Sequence, residues 1–438
     1  MTDFPQGFSD SLASLLHDEL EAFLSALNGA PALAMRVNSF RAAAMDAARE
    51  FLDSPVPWAR DGWYLKQGCR PGTAVAHAAG AYYLQEASAM APAAALDVQK
   101  GERVLDLCAA PGGKSGQLAA ALDGAGLLVC NEPEPSRAKM LAGNLERMGV
   151  RSAVVTNAYP DAVAAAWPGF FDAVLVDAPC SGEGMFRREP DARGQWNPAA
   201  PEGCARRQRD ILRQAAALVR PGGRLVYSTC TFNPIENEGS VRTFLEENPD
   251  FSPVDFSLPG IGASTDGMIR LMPHRLRGDG QFAARFIRRG DDRPEGMHTP
   301  AKPPAGAADA LRELVTGSIL PEGFDLRLIG QNVYAVPAEL PAAKGLRIVS
   351  PGLCLLRAEK NRFEPEHALA MALEPAQARQ AAELNEEQAW LYLAGEAVPM
   401  DLPRGWTLAV YRGLPLGWGK AVDGTLKNHL PKGLRIRR

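Results

Sequence analysis

The 438-residue sequence predicts an α/β fold on a mostly parallel sheet, with a small α+β module before it and a β-rich module after it. Three observations carry this expectation. Short apolar runs (Arg103 to Asp106, Leu127 to Cys130, Ser152 to Thr156, Phe171 to Val176, Arg224 to Tyr227) alternate with helical stretches such as Ser115 to Leu122, Ser136 to Met148 and Arg206 to Val219. Strands spaced by helices of that length imply right-handed βαβ units and parallel neighbours. Each run ends in polar residues, and in an open sheet of order 3-2-1-4-5 those ends gather at one edge, where ligands bind. Finally, residues 291–308 are rich in Pro and Gly and poor in apolar residues, a linker pattern separating 76–290 from an extension at 309–438.

Composition narrows the function classes. A hydrophobic content of 46% and a charged content of 22% are those of a globular protein. The net charge of -4 and pI near 6.0 exclude a generally basic coat, so nucleic-acid binding must come from local patches. No stretch is apolar for the length of a bilayer span, and MTDFPQGFSD lacks the regions of a signal peptide. The expectation is a cytoplasmic, monomeric protein without membrane association. Its 7 scattered cysteines imply reduced thiols rather than a disulfide framework. With 6 His and no C-x-x-C pair, no metal site is expected, and thiols are the candidate reactive groups.

In chain order, Phe8 to Leu27 place Leu12, Leu15, Leu16, Leu20, Phe23, Leu24 and Leu27 at helical spacing, with one face to bury. An extended MRVNSF follows, then a helical Ala42 to Leu52, stopped by Pro55-Val56-Pro57. Residues 1–75 are thus expected to form the α+β module, in which Arg36 and Arg41 are candidate phosphate contacts. Tyr82 and Tyr83 are expected to be packing residues, and Arg137, Lys139 and Arg147 a solvated helix face. In the extension, Leu311 to Ile319 predict a helix. Asp325 to Ile329, Val333 to Val336 and Leu353 to Arg357 predict strands, and Trp406 to Tyr411 with Leu416 to Val422 a hairpin. From Lys420 to Arg438 the tail carries Lys420, Lys427, His429, Lys432, Arg435, Arg437 and Arg438 against one acid, Asp423, a pattern suited to an RNA backbone.

Two constellations carry chemistry. In RVLDLCAAPGGK, a strand bearing Asp106 enters a Pro-Gly-Gly turn, where Gly112 and Gly113 let a ligand approach the backbone, and then a helix. Neither G-x-G-x-x-G nor a Walker pattern around Lys114 is present. The next strand ends at Asn131-Glu132, where a carboxylate can accept hydrogen bonds from both ribose hydroxyls. Asp106 and Glu132 at adjacent strand ends suit a cationic nucleoside, and S-adenosylmethionine, a sulfonium, is one. The second constellation is Asp177-Ala178-Pro179-Cys180 after one strand and Thr229-Cys230 after the next. Carbon 5 of cytosine is too weak a nucleophile to take a methyl group directly. A thiolate adding to carbon 6 makes it an enamine, and a carboxyl group at the N3 and N4 edge stabilises the adduct. Asp177 suits that role. A second thiol can assist loss of the carbon 5 proton and release of the enzyme, and spacing does not say which thiol attacks.

DLCAAPGGK, FDAVLVDAPCSGEGMF and STCTFNPIENE resemble the motifs of the Sun-type (NOP2/Sun) RNA cytosine-5 methyltransferases, and His77 to Met90 resembles the segment before their catalytic domain. The resemblance covers Arg36 to Arg289 and implies a class I (Rossmann-like) S-adenosylmethionine-dependent methyltransferase fold. It implies that Cys230 is the nucleophile and Cys180 serves product release. It further implies that Cys108, Ala109, Ala110, Pro111, Gly112, Gly113, Lys114, Glu132, Asn157 and Asp177 line the cofactor pocket, with Asp177 also facing the target base. Asn157 departs from the family's common Asp, with Asp161 nearby as the fallback. SGEGMFRR and LGWGKAVDGTLKNHLPKG look like the bacterial RsmF-type branch. That likeness implies small-subunit (16S) ribosomal RNA, or the small ribosomal subunit, as partner, and a PUA-like RNA-binding module in the extension. The target cytosine must be unpaired or flipped, so Arg187, Arg188 and Arg193 are candidate RNA contacts. Alternatives are an RNA-binding assembly factor without turnover, a different RNA such as tRNA, or methylation of an exocyclic amine. The thiol pair argues against the first. Asp177 to Cys180, lacking the Asp/Asn-Pro-Pro-aromatic loop, argues against the last.

Overall fold

A computed structural model describes residues 4–293, 302–320, 322–343, 345–360 and 362–436, so residues 294–301 of the expected linker lie outside the described residues. The strands of the central sheet, numbered in chain order, are β1 (Arg103–Asp106), β2 (Leu127–Asn131), β3 (Ala153–Asn157), β4 (Phe171–Asp177), β5 (Val219–Thr229), β6 (Phe251–Pro253), β7 (Met268–Leu271), β8 (Gln281–Arg288) and β9 (Arg347–Ser350). Among the described residues their order is β6-β8-β5-β4-β1-β2-β3-β9, with β7 beside β8. The segment β3-β2-β1-β4-β5 is parallel, in the predicted order. Such strands are covered on both faces, which is why they are near-continuous apolar runs. Val104, Leu128 and Cys130 pack toward Leu118, Leu141 and Leu145 on one face. Leu105, Val129 and Val174 pack toward Leu212 and Phe244 on the other.

Helices α1 (Gly113–Leu122), α2 (Pro135–Arg147), α3 (Pro160–Ala166), α4 (Ala200–Leu218) and α5 (Ser240–Glu247) cover these faces. At the start of α2 the Glu134 side chain accepts hydrogen bonds from the N–H groups of Ser136 and Arg137, and Pro135 fills the first turn without wasting a donor.

The N-terminal stretch is two helices, Phe8–Leu16 and Leu20–Asn28, not the single one expected. His17 turns the chain at φ 44° between them. The bend lets Phe8 and Leu12 of the first helix and Phe23 and Leu27 of the second pack on Phe186, Trp196 and Phe232. A straight helix presents only one face and could not wrap that cluster. The helical Ala42 to Leu52 shortens to Ala44–Ala48 and a 3-10 turn, Arg49–Phe51. Strands Leu52–Pro55, Gly62–Leu65, Ala34–Val37 and Tyr82–Leu84 form a second sheet in that order, so the N-terminal unit continues past the expected boundary at residue 75. Tyr82 is a packing residue, fully buried, with its hydroxyl donating to Pro71 O at 2.8 Å.

In the extension the first helix is Ala307–Leu314, earlier than expected, and the predicted strands appear as Phe324–Ile329, Asn332–Pro337 and Leu353–Glu359. The hairpin is Gly405–Tyr411 and Leu414–Val422, within a five-stranded sheet. Strand β9 leaves the extension altogether and pairs antiparallel with β3, setting Arg347 opposite Asn157.

Several arginines expected at the surface are instead joints between units. Arg36, 2% exposed, donates to the carbonyls of Gly113 and Gly116, each at 3.2 Å. Arg41, 4% exposed, donates to Leu373 O at 2.8 Å and to Met371 O. Arg147 donates to His77 O at 2.8 Å and Tyr82 O at 3.3 Å, so it is not part of a solvated face. The candidate RNA contacts are used in the same way. Arg187 and Arg188 share Asp279, and Arg187 also donates to Gly278 O at 3.1 Å. Arg193 donates to Phe186 O at 3.0 Å and Leu27 O at 3.1 Å. A guanidinium carries five donors and no acceptor, which matches carbonyls left over where units meet. Sequence spacing cannot reveal such carbonyls.

Removing Asp279 strands two largely buried cations. Asp279→Ala is expected to cost about 3 kcal/mol of stability, measured as a lower urea midpoint than wild type.

Candidate active site

The turn between β1 and α1 is built from both sides. Gly112 sits at φ 111°, and a Cβ there would meet Leu141 Cδ1 at 3.0 Å, so only glycine suits the turn. The neighbouring carbonyls are tied down: Pro111 O accepts from Asn144 Nδ2 at 2.9 Å, and Ala110 O from Arg137 at 3.0 Å. Ala109 N–H donates to Asn131 O at 2.9 Å. Arg36 braces the first turn of α1 from below.

At the end of β1, Asp106 is 1% exposed; its Oδ2 accepts from Ser115 Oγ at 2.7 Å, and its Oδ1 is buried without a partner. Burial is the main cause that pushes its carboxyl up to about 7; Asp177 and Glu132 add to this, against the Ser115 bond and the Lys114 charge. The Cys108 thiol beside it is driven far above the usual range by burial, with Asp106 and Asp177 contributing, so it stays neutral.

At the end of β2, Glu132 is 2% exposed; it accepts from Glu134 N at 3.0 Å and pairs with Arg137 at 3.4 Å. Arg137 is therefore tied to the site rather than idle on the helix face. Asn157 donates from Nδ2 to Glu132 O at 2.9 Å and to Pro133 O at 2.8 Å. A carboxylate has no donor for these bonds, which gives the Asn at this position a structural reason. Asp161 is exposed in the first turn of α3, accepting from Ala162 N at 2.9 Å.

At the end of β4, Asp177 accepts three hydrogen bonds. Lys114 Nζ reaches Oδ2 at 2.7 Å, Ser228 Oγ reaches Oδ1 at 2.7 Å, and Gln281 Nε2 reaches Oδ1 at 3.1 Å. Burial works against the Lys114 charge, but Asp177 outweighs it and holds the ammonium above its usual range, with Cys230 and Asp106 adding to the effect. Gln281 had no signal in the sequence: it comes from β8, which reaches the site only by lying antiparallel on β5.

The two thiols converge, Cys180 Sγ standing 3.3 Å from Cys230 Sγ. The hydrogen bond to Cys230 is the largest cause raising the Cys180 thiol well above its usual range, followed by burial and the charges of Cys230 and Glu236. Among the described residues, no cluster of three or more His, Cys, Asp or Glu could hold a metal ion.

A parallel sheet with this order, a glycine turn at its switch point and carboxylates at adjacent strand ends define a class I S-adenosylmethionine-dependent methyltransferase. Its fold is shared by a methyltransferase homolog protein from Pyrococcus horikoshii, 28% identical, with a TM-score of 0.56 over 64% of this chain and 94% of that one. Residues 93–287 match the family described as 16S rRNA methyltransferase RsmB/F. Residues 4–87 match the N-terminal domain of 16S rRNA methyltransferase RsmF, 313–373 the RsmF first C-terminal domain, and 379–436 the methyltransferase RsmF PUA domain. Ribosomal RNA small subunit methyltransferase F of Erwinia tasmaniensis is 31% identical over 98% of this chain and 96% of its own length. The protein of that name from Vibrio parahaemolyticus is 32% identical over 98% and 97%. The chain belongs to the RsmB/F family of RNA methyltransferases, in its RsmF branch, and its cofactor is S-adenosylmethionine.

The residues fit that cofactor: an unpartnered buried oxygen on Asp106 and a buried Glu132 supply negative charge to a sulfonium nucleoside. A cation favours ionised Asp106, whose carboxyl lies near 7 without ligand. Below that pH, binding must first expel a proton. Cofactor affinity is therefore expected to rise from pH 6 to pH 8, by up to about tenfold per pH unit on the acid side. Calorimetric titration at the two ends of that range checks this, and Asp106→Asn should flatten the slope.

Proposed function

We propose that this protein methylates carbon 5 of a cytosine in small-subunit (16S) ribosomal RNA through a covalent bond between Cys230 and carbon 6. The observation that carries this reading is the pair of thiols 3.3 Å apart beside the Lys114–Asp177 pair. The attack is assigned to Cys230, on the loop after β5, and release to Cys180, on the loop after β4.

In this reading the Cys230 thiolate attacks carbon 6, and electron density moves to carbon 5. S-adenosylmethionine, when bound, supplies the methyl group that carbon 5 takes. Asp177, fixed by three donors, holds the N3 and N4 edge of the base. Release needs the carbon 5 proton to leave, the ring double bond to reform and the sulfur–carbon bond to break, returning its electron pair to Cys230. Once Cys230 is bonded to carbon, the Cys230 hydrogen bond that is the largest cause raising the Cys180 thiol is lost. Cys180 then becomes free to lose its proton to water and take the one from carbon 5.

The cofactor pocket in this reading is lined by Cys108 to Lys114, Glu132, Asn157 and Asp177, with Asn157 acting through Glu132. RNA engages the N-terminal unit and the extension, and one chain suffices. Support comes from the extension's basic end, where Lys420 lies 5.4 Å above the Trp406 ring and His429 packs against the same ring at 4.5 Å. Lys427 and Lys432 are exposed nearby, a mixture of charge and aromatic surface suited to RNA. Arg437 and Arg438 lie outside the described residues. Among the described residues no helix is long and apolar enough to cross a membrane.

With S-adenosylmethionine and small-subunit ribosomal RNA, Cys180→Ala is expected to accumulate a covalent protein–RNA band on a denaturing gel, and Cys230→Ala to give none. A band from Cys230→Ala instead would reverse the thiol roles. No band from either variant, with no 5-methylcytosine from wild type, would favour an assembly role.

A further inference from the structure

The two thiol-bearing loops are joined by a buried carboxylate that the chemistry above does not use. Glu236 is fully buried in a π-helical turn, Ile235–Gly239, that follows the Cys230 loop. Its Oε2 accepts from Ser181 N–H at 2.9 Å and Gln208 Nε2 at 2.8 Å, and its Oε1 accepts from the Ser181 hydroxyl. Ser181 Oγ is also 2.8 Å from Thr231 Oγ1. Ser181 directly follows Cys180, and Thr231 directly follows Cys230. On the other side of Cys180, Pro179 O accepts from the same Gln208 amide at 3.1 Å. The Tyr227 hydroxyl holds the backbone of the turn, donating to Glu236 O at 2.7 Å.

We propose that Glu236 is a positioning residue for the release step: by gripping Ser181 directly and Pro179 through Gln208, with Ser181 linked on to Thr231, it sets Cys180 against the Cys230 adduct. This rests on the covalent mechanism above. A buried carboxyl is costly unless its oxygens are used, and here three donors require two acceptor oxygens. An amide offers one. The titratable neighbours are Glu183 from the Cys180 loop, Cys180 itself, Cys204 on α4 and Tyr227 on β5. Burial is the largest cause lifting the Glu236 carboxyl to about 7, offset in part by Ser181 and Gln208. The site thus tolerates an expensive group beside the release thiol.

Misplacing Cys180 should slow release while leaving attack by Cys230 and cofactor binding intact. Glu236→Gln, isosteric and uncharged at this position, is therefore expected to retain wild-type S-adenosylmethionine affinity, lower kcat by about tenfold or more, lower KM for RNA in step so that kcat/KM is kept, and accumulate the covalent band. Ser181→Ala, which removes the hydroxyl link while keeping the backbone bond, is expected to accumulate a weaker band. Glu236→Gln that binds cofactor normally and turns over without a band overturns the proposal. If Glu236→Gln fails to bind cofactor, Ser181→Ala decides: a band supports the proposal, and wild-type turnover without one overturns it. Cys180→Ala on the same gel separates the two levels, because absence of a band there defeats the covalent mechanism itself.

Discussion

A carboxylate drawn out of water must find donors, and the half-buried Asp177 finds them on three separate elements: Lys114 from the first turn of α1, Ser228 from β5 and Gln281 from β8. That convergence fixes the catalytic edge. Lys114 belongs to the same turn as Gly112 and Gly113, while Ser228 lies two residues before Cys230. One side chain therefore sets the distance between the cofactor turn and the thiol loops. In a low-dielectric setting such a network is valuable only when every member is satisfied, since an unpaired ion there costs several kcal/mol. The thiols sit above a foundation that tolerates little slack.

A second layer of constraint lies in the arginines. Arg36 ties the N-terminal sheet to the carbonyls of Gly113 and Gly116, and Arg187, Arg188 and Arg193 tie the N-terminal helices to the segment after Cys180. Phe8, Phe186, Trp196 and Phe232 supply the apolar part of the same contact. The N-terminal unit is thus a wall of the active site as much as an appendage to it. Its joints meet the cofactor turn on one side and both thiol loops on the other.

Much of this was legible in the sequence because parallel strands covered on both faces must be apolar, and polar residues can appear only where they end. Asp106, Glu132, Asp177, Cys180 and Cys230 were all found that way. What escaped was pairing at long range. Gln281 looks like an ordinary polar residue until β8 is laid on β5, and Glu236 looks like a helix-surface acid until Ser181 is folded against it. Arg36 and Arg187 read as candidate phosphate and RNA contacts because nothing local announces a carbonyl left unpaired by another unit. The break at His17 escaped for a related reason: periodicity reports which face is apolar, not whether the surface that receives it is curved.

Strand β9 gives the order of chain synthesis a structural meaning. The edge of β3, which carries Asn157, is covered by Arg347–Ser350, residues that leave the ribosome long after the other strands of the sheet. Until they arrive, the nascent sheet has an open row of backbone donors and acceptors beside the cofactor pocket, the kind of edge that pairs with other chains. Completion of the extension therefore closes the sheet as well as adding a module to it. A chain stopped short of residue 347 would leave the β3 edge beside Asn157 uncovered.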